Sequence, residues 1–497
     1  MKNIVKSVAI VTLFGVATKA LGLLIKIYIS REIGAESLGF FQIASSVFFL
    51  LCALVTSGLP LVISRRVSAF PKDESALVSG GLLISVLISG IVTCLIVFCP
   101  SLLKSLLSHN QSILVLFTLL PGLISTAFYT PFRGAFWGRK DFFTISFVEF
   151  LEQIIRLVAC VILFNIGISS LSGEEVVGIT SSIACFLSSL YAIIYYFCKR
   201  GRLSSSLRHT ISLAKESTPI AFVRISTSLV SMLIAIILPA QMVLGGTNSS
   251  DAISAFGVVS GMILPLLTIS GTIIGSIAVI LVPELGSSSA SPTKEAKSKI
   301  NSSISVSILL SLFLFPIFFG IGNEIGIFLF QNELAGQLLQ AGSFLLLPLG
   351  LSQITTSILN ALGHEKRTLV YYLLGTTFLL ASIIFLPRVI GIYSLLVGML
   401  GMSTITSVLN LCFLKKYLNF VPLRTLFISS LICFPCVLLA IFVENILSFY
   451  FTSFFCIAFA CTLSALAFGI LCLCFNLFDI TTVLPARYSQ KLKRRKV

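Results

Sequence analysis

Residues 19–66 read KALGLLIKIYISREIGAESLGFFQIASSVFFLLCALVTSGLPLVISRR, and this stretch decides the fold. Two apolar runs, each long enough to cross a bilayer core of about 20 residues, flank a short polar hairpin, Arg31 to Ser37. The first run carries Lys19 and Lys26, which hydrocarbon should not contain. Gly15, Lys19, Gly22 and Lys26 are spaced four, three and four apart and share one helical face. Small residues and cations on one face, with Leu, Ile and Val elsewhere, predict a helix that faces a polar cavity rather than lipid. The second run ends at Pro60, and Arg65 and Arg66 mark its return to a positively charged surface.

The rest of the chain has the same character. Of its 497 residues, 57% are hydrophobic and 10% charged, which excludes a globular soluble protein and specifies an all-α membrane protein. A formal charge of +16 in such a chain is a matter of topology and predicts no nucleic-acid partner. Lys2 and Lys6 precede an apolar run too long for a removable signal, and no small-residue cleavage site follows it. The 13 cysteines are scattered singly through apolar runs and read as small hydrophobes, including the Cys433-x-x-Cys436 pair.

Fourteen spans are predicted, at 8–29, 39–63, 78–99, 112–132, 145–166, 177–198, 219–242, 253–282, 302–322, 338–362, 368–386, 392–414, 425–443 and 452–476. With the N-terminus inside, the inner segments hold 27 of the 34 lysines and arginines. The outer loops hold three (Arg31, Lys104, Arg388), and Lys19, Lys26, Arg156 and Arg224 fall within spans. That bias places both ends in the cytoplasm and favours an even number of helices. Three landmarks recur at offsets of 223 to 227: Pro60 with Pro283, Pro121-Gly122 with Pro348-x-Gly350, and Gly138 with Gly363. They imply two six-helix lobes with the same orientation. Residues 1–198 form the first lobe, 199–218 a flexible or surface-lying cytoplasmic linker, and 219–416 the second lobe. An extra pair, helices 13 and 14, occupies 417–476, and a basic cytoplasmic tail occupies 477–497.

The fifth span carries the densest polar chemistry. Glu149, Glu152, Gln153 and Arg156 stand at i, i+3, i+4 and i+7, on one face. Arg156 falls near mid-membrane, with Glu152 about 6 Å below it. Their pairing alone suits a bundle-stabilising role. Uncompensated Lys19 at similar depth argues instead for a hydrated, positive cavity, since each central cation costs about 2.5–3.5 kcal/mol or more. Lys26 and Arg224 lie nearer the surfaces, within reach of snorkelling. Together Lys19, Lys26, Arg156 and Arg224 form a candidate substrate-binding ladder, and Glu149, Glu152 and Gln153 its pairing or coupling groups. Lys and Arg are the usual partners of phosphate, so an anionic, pyrophosphate-bearing substrate fits. No nucleophile elbow, phosphate loop or metal-ligand spacing is present, so neither an enzyme nor a cofactor is expected.

A resemblance sharpens this reading. Gly34-Ala35-Glu36-x-x-Gly39-x-Phe41-Gln42, followed by Gly58-Leu59-Pro60 and Ile63-Ser64-Arg65, resembles stage V sporulation protein B-type exporters. These belong with the polysaccharide flippases of the multidrug/oligosaccharidyl-lipid/polysaccharide (MOP) superfamily. Arg133-Gly134-x-x-x-Gly138 and Glu152-Gln153-x-x-Arg156 add a second match. The resemblance implies a flippase that moves a polyprenyl-pyrophosphate-linked oligosaccharide across a bacterial cytoplasmic membrane by alternating access. Its partners would be that lipid-linked saccharide and membrane lipids, with a coupling ion left open and a monomer expected. It also implies that the extra helix pair lines a lipid-facing groove. The rival reading is a cation-coupled multidrug exporter of the same superfamily, for which twelve helices and an acidic pocket are expected.

Overall fold

The computed structural model describes residues 2–56, 58–99, 101, 104, 107, 109–167, 171–199, 201–204, 206–275, 294–416, 423–448 and 451–477. Its first helix, α1 (Lys2–Thr56), is broken at Gly34, where φ is 76° and ψ −179°. An L side chain rarely adopts that φ, so the hairpin residue is a glycine. A second break falls at Gly58, with φ 83°. There a Cβ would lie 2.4 Å from the Ser217 carbonyl oxygen. The span expected over 39–63 therefore ends early, and Leu59–Ala69 is a separate helix, α2, with Pro60 in its first turn.

After a 3-10 turn at Pro71–Asp73 come α3 (Glu74–Phe98), α4 (Asn110–Gly138), α5 (Phe142–Ile166), α6 (Gly173–Cys198) and α7 (Leu207–Leu244). Side-chain contacts fix their directions. Phe14 packs on Phe143 and Phe150, and Tyr28 on Phe164, so the first arm of α1 runs parallel to α5. The second arm and α2 follow α4, with Phe48 near Gly122 and Ile63 near Gly134. Ser182 Oγ donates to the Thr118 carbonyl at 2.6 Å, and Phe132 meets Tyr196 edge-on at 4.9 Å, so α4 and α6 are parallel. Ser85 Oγ donates to the Ala127 carbonyl at 2.8 Å while Gly81 faces Pro131, so α3 and α4 are antiparallel. Successive helices therefore alternate in direction, as an up-and-down membrane bundle requires.

The chain forms two compact units, residues 1–261 and 262–497. The first takes in α7 and also α8 (Ser249–Gly257), beyond the 199–218 linker. That linker is fastened to its lobe: the Ser204 N–H donates to Ser79 Oγ at 3.0 Å, and the Ser204 and Ser75 hydroxyls are 3.0 Å apart. It becomes helical at Leu207, and Leu213 sinks into a core with Leu59, Ile63, Val67 and Leu77. The repeat and the compact unit are thus different divisions of the chain.

The second unit begins within a π-helical turn, Val258–Ile263, followed by α9 (Leu264–Leu267). It continues through α10 (Lys294–Phe330), α11 (Glu333–Gly342), α12 (Leu346–Ala361), α13 (Glu365–Phe385), α14 (Pro387–Ile390) and α15 (Tyr393–Leu414). Here α10 packs on α12, and α15 on both α12 and α13. This reproduces the first unit's order, where α3 packs on α4, and α6 on both α4 and α5. The extra pair, α16 (Leu423–Leu447) and α17 (Ser453–Cys474), packs on α10. Cys433 Sγ lies 3.7 Å from the Leu312 carbonyl, and Phe313 meets Phe468 edge-on. Its outer faces, with Phe427, Phe434, Phe442 and Phe459, are exposed. Pro283 and the tail from residue 478 lie outside the described residues.

Among the described residues no strand occurs. Twelve helical stretches among the described residues are long and apolar enough to cross a membrane. Leu13–Ala69 is one of them although Gly34 divides it. The 25-residue α5 is not, because Glu149, Glu152 and Arg156 interrupt its apolar run.

Candidate functional site

Helix α5 starts cleanly because Asp141 caps it, its carboxylate accepting from the Thr144 N–H at 3.2 Å and the Thr144 hydroxyl at 2.7 Å. The cap sets the register that brings Glu149, Glu152, Gln153 and Arg156 onto one face. Within that face the partners diverge. Arg156 Nη2 donates to Glu152 Oε1 at 2.6 Å, one turn away on the same helix. Arg133 Nη2, from α4, donates to Glu149 Oε1 at 2.5 Å. Gln153 turns toward the first arm of α1, where its Oε1 would lie 3.7 Å from a Cβ on Gly22. Gly22 therefore lets the polar face of α1 approach that of α5.

Lys26, on that α1 face, lies in the electrostatic range of both Lys19 and Arg156. Lys19 is exposed and Lys26 half-buried, and neither has an ion-pair partner among the described residues. Both carboxylates of the cluster are committed to arginines, so the two lysines remain as surplus positive charge. In a low-dielectric setting such a surplus attracts an anion strongly. Arg224 stands apart from this group. It is exposed on α7, its backbone carbonyl accepts from the Thr227 hydroxyl at 2.8 Å, and it too lacks an ion-pair partner among the described residues. The structure thus brings Lys19, Lys26, Arg156, Glu152, Glu149 and Gln153 together, and among the described residues no side-chain bond links Arg224 to them.

Two members of the cluster escaped the sequence reading. Arg133 counted as an inner-loop cation, yet α4 continues to Gly138 and carries it into the helix. Tyr129, one turn earlier, places a buried hydroxyl without a partner near Arg133, Glu149 and Glu152. The signal was present: Glu149 had no cation of its own on α5, so its partner had to come from a neighbouring helix. The Nε atoms of Arg133 and Arg156 are likewise buried without a partner.

Comparison with known proteins follows this geometry. A family model described as polysaccharide biosynthesis protein matches residues 4–283. The chain belongs to the polysaccharide biosynthesis protein family. A relative, stage V sporulation protein B of Bacillus subtilis (strain 168), is 24% identical over 304 residues. The match covers 57% of this chain and spans 58% of that relative's length. Among solved structures, the lipid II flippase MurJ in an inward closed conformation aligns with TM-score 0.66 at 15% identity. It covers 92% of this chain and 98% of MurJ. An inward-facing multidrug resistance MATE family transporter of the MOP superfamily aligns with TM-score 0.65 at 15% identity, covering 81% and 94%. The fold is therefore the MOP-transporter fold, as the sequence motifs anticipated. The family match runs from residue 4 of α1 through α7 and takes in every residue of the charged cluster.

Proposed function

We propose that this family member is a flippase carrying a polyprenyl-pyrophosphate-linked oligosaccharide across a bacterial cytoplasmic membrane by alternating access. The observation that carries the reading is the pair of uncompensated lysines, Lys19 and Lys26, beside Arg156 in a helix of membrane length. Three cations at this spacing suit the two phosphates of a pyrophosphate, and the apolar chain stays in lipid. The lipid II flippase neighbour supports a lipid-linked substrate. A cationic drug would need an uncommitted carboxylate, and both Glu149 and Glu152 are held by arginines.

If the two arms of α1 cross separately and α5 crosses as well, the chain would have fourteen spans, and both termini would be in the cytoplasm. The protein would act as a monomer without chemical catalysis. The test is flipping of a fluorescent undecaprenyl-pyrophosphate oligosaccharide in proteoliposomes. Transport by wild type, lost in Lys26→Gln and Arg156→Gln variants that still fold, supports the reading. Export of a cationic dye without lipid flipping overturns it.

A further inference from the structure

The start of α7 has two faces. On one, Leu213 and Ser217 are buried one turn apart. Leu213 packs with Leu77 and Ile63, and a Cβ on Gly80 would lie 2.7 Å from Thr210 Oγ1. Leu77 and Gly80 stand within about 9 Å of the beginning of α3, a helix of membrane length. The 25 residues of α3 rise about 37 Å, little more than a hydrocarbon core of about 30 Å, so this level is the bilayer boundary. The other face is bare. Leu207 and Ile211, one turn apart, are 78% and 57% exposed. Arg208 and Lys215, two turns apart on the adjoining stripe, are exposed and have no ion-pair partner among the described residues. Arg202 and Leu203, just before the helix, are exposed as well. The nearby acids are engaged elsewhere: Glu216 with Arg66, Glu74 with Arg139, and Asp73 facing His209, with Oδ2 3.7 Å from Nε2.

We propose that this bare face binds acidic phospholipids of the leaflet at this end of the bundle. Leu207 and Ile211 enter the boundary of the acyl chains, and Arg208 and Lys215 meet the head-group phosphates. Apolar side chains exposed at the level of the head groups gain by entering the acyl boundary, as an interfacial amphipathic helix does. Unpaired cations beside them select a negative lipid surface over a neutral one. The face is also held in place. The Ser204 N–H donates to Ser79 Oγ at 3.0 Å, Ser206 Oγ lies 2.7 Å from His209 Nδ1, and Leu213 anchors the opposite side. A protein partner fits less well, because at this level lipid already surrounds the helix. None of these residues belongs to the charged cluster, so the binding is independent of the substrate that the protein carries.

The experiment places a reporter on the face itself. Trp137 is the chain's only tryptophan, so Trp137→Phe with Leu207→Trp carries a single indole at position 207. The full chain is set in phosphatidylcholine nanodiscs holding an equal minor fraction of either brominated phosphatidylglycerol or brominated phosphatidylcholine. The brominated phosphatidylglycerol should quench the indole more strongly. Adding R208Q and K215Q should abolish that preference and weaken phosphatidylglycerol binding by roughly tenfold or more. K366Q with K415Q, which removes two other exposed cations, should leave the preference intact. Native mass spectrometry of the wild type needs no variant: phosphatidylglycerol adducts should survive activation that strips phosphatidylcholine. Equal quenching by the two lipids, or equal loss of their adducts, overturns the proposal. Loss of the preference in K366Q with K415Q also overturns it, assigning the attraction to overall charge. Quenching by neither lipid overturns it too, leaving the face to water or to a protein partner.

Discussion

Arg133 Nη2 lies 2.5 Å from Glu149 Oε1, a bond that joins α4 to α5 and leaves Arg156 as the ion-pair partner of Glu152 among the described residues. Removing one partner should therefore cost more than removing both. Arg133→Met or Glu149→Gln alone is expected to destabilise the protein by about 1 kcal/mol, since both side chains are partly exposed. The double variant should recover most of that loss. Size-exclusion chromatography after graded heating, across the four proteins, reads the cycle.

Gly178 on α6 should tolerate no side chain. A Cβ there would lie 1.9 Å from Thr118 Oγ1 and 3.4 Å from the Val115 carbonyl. Gly178→Val is expected to cost about 1–3 kcal/mol by forcing α4 and α6 apart. Gly15→Ala makes the matched control, because nothing lies within 4 Å of its Cβ. Folded yield and melting of the two variants should differ sharply.

At Gly34 the backbone itself sets the limit, since open space surrounds the position yet φ is 76°. Gly34→Ala and Gly34→Asn should each lower stability by about 1–3 kcal/mol, because φ 76° with ψ −179° is backbone that essentially only glycine adopts. Unchanged melting of either variant would show that the break does not need glycine.

The sequence revealed the architecture through long apolar runs, basic inner loops and the Gly34 and Pro60 punctuation. These are signals carried by single segments. The helix end at Thr56 was missed because Gly58 breaks the chain inside an apolar run, where hydropathy stays high. The site was half legible. Lys19, Lys26, Glu152 and Arg156 declare themselves because charges inside apolar runs are conspicuous. Arg133 and Tyr129 do not, since Arg133 borders a basic loop and a tyrosine in a membrane helix is unremarkable by composition. Their role depends on which helices are neighbours.

Acidification should loosen the start of α7. Glu216, in the polar turns before the helix becomes apolar, is bonded to the Arg66 guanidinium, with Nε 3.1 Å from Oε2. That bond holds the Glu216 carboxyl below the usual carboxylate range, against a small opposing effect of burial. A lowered folded value means the stabilisation is full at neutral pH and fades as pH falls through it. Protection factors over residues 207–217, corrected for the intrinsic pH dependence of amide exchange, should therefore fall on acidification in wild type. In Glu216→Gln they should already be low at pH 7 and change little.

The same bond fixes the mechanics of α7. Leu213 and Ser217 are buried at its beginning, and Met232, Ala235, Leu238 and Met242 toward its end. Between Ser217 and Met232 no residue is buried, and Pro219 removes a backbone donor at the edge of that bare stretch. A rod buried at both ends and covered only in part between them has one place to buckle. Arg224 stands at the middle of that free length, so the charge least attached to the cluster is the one whose position would swing farthest when the rod bends.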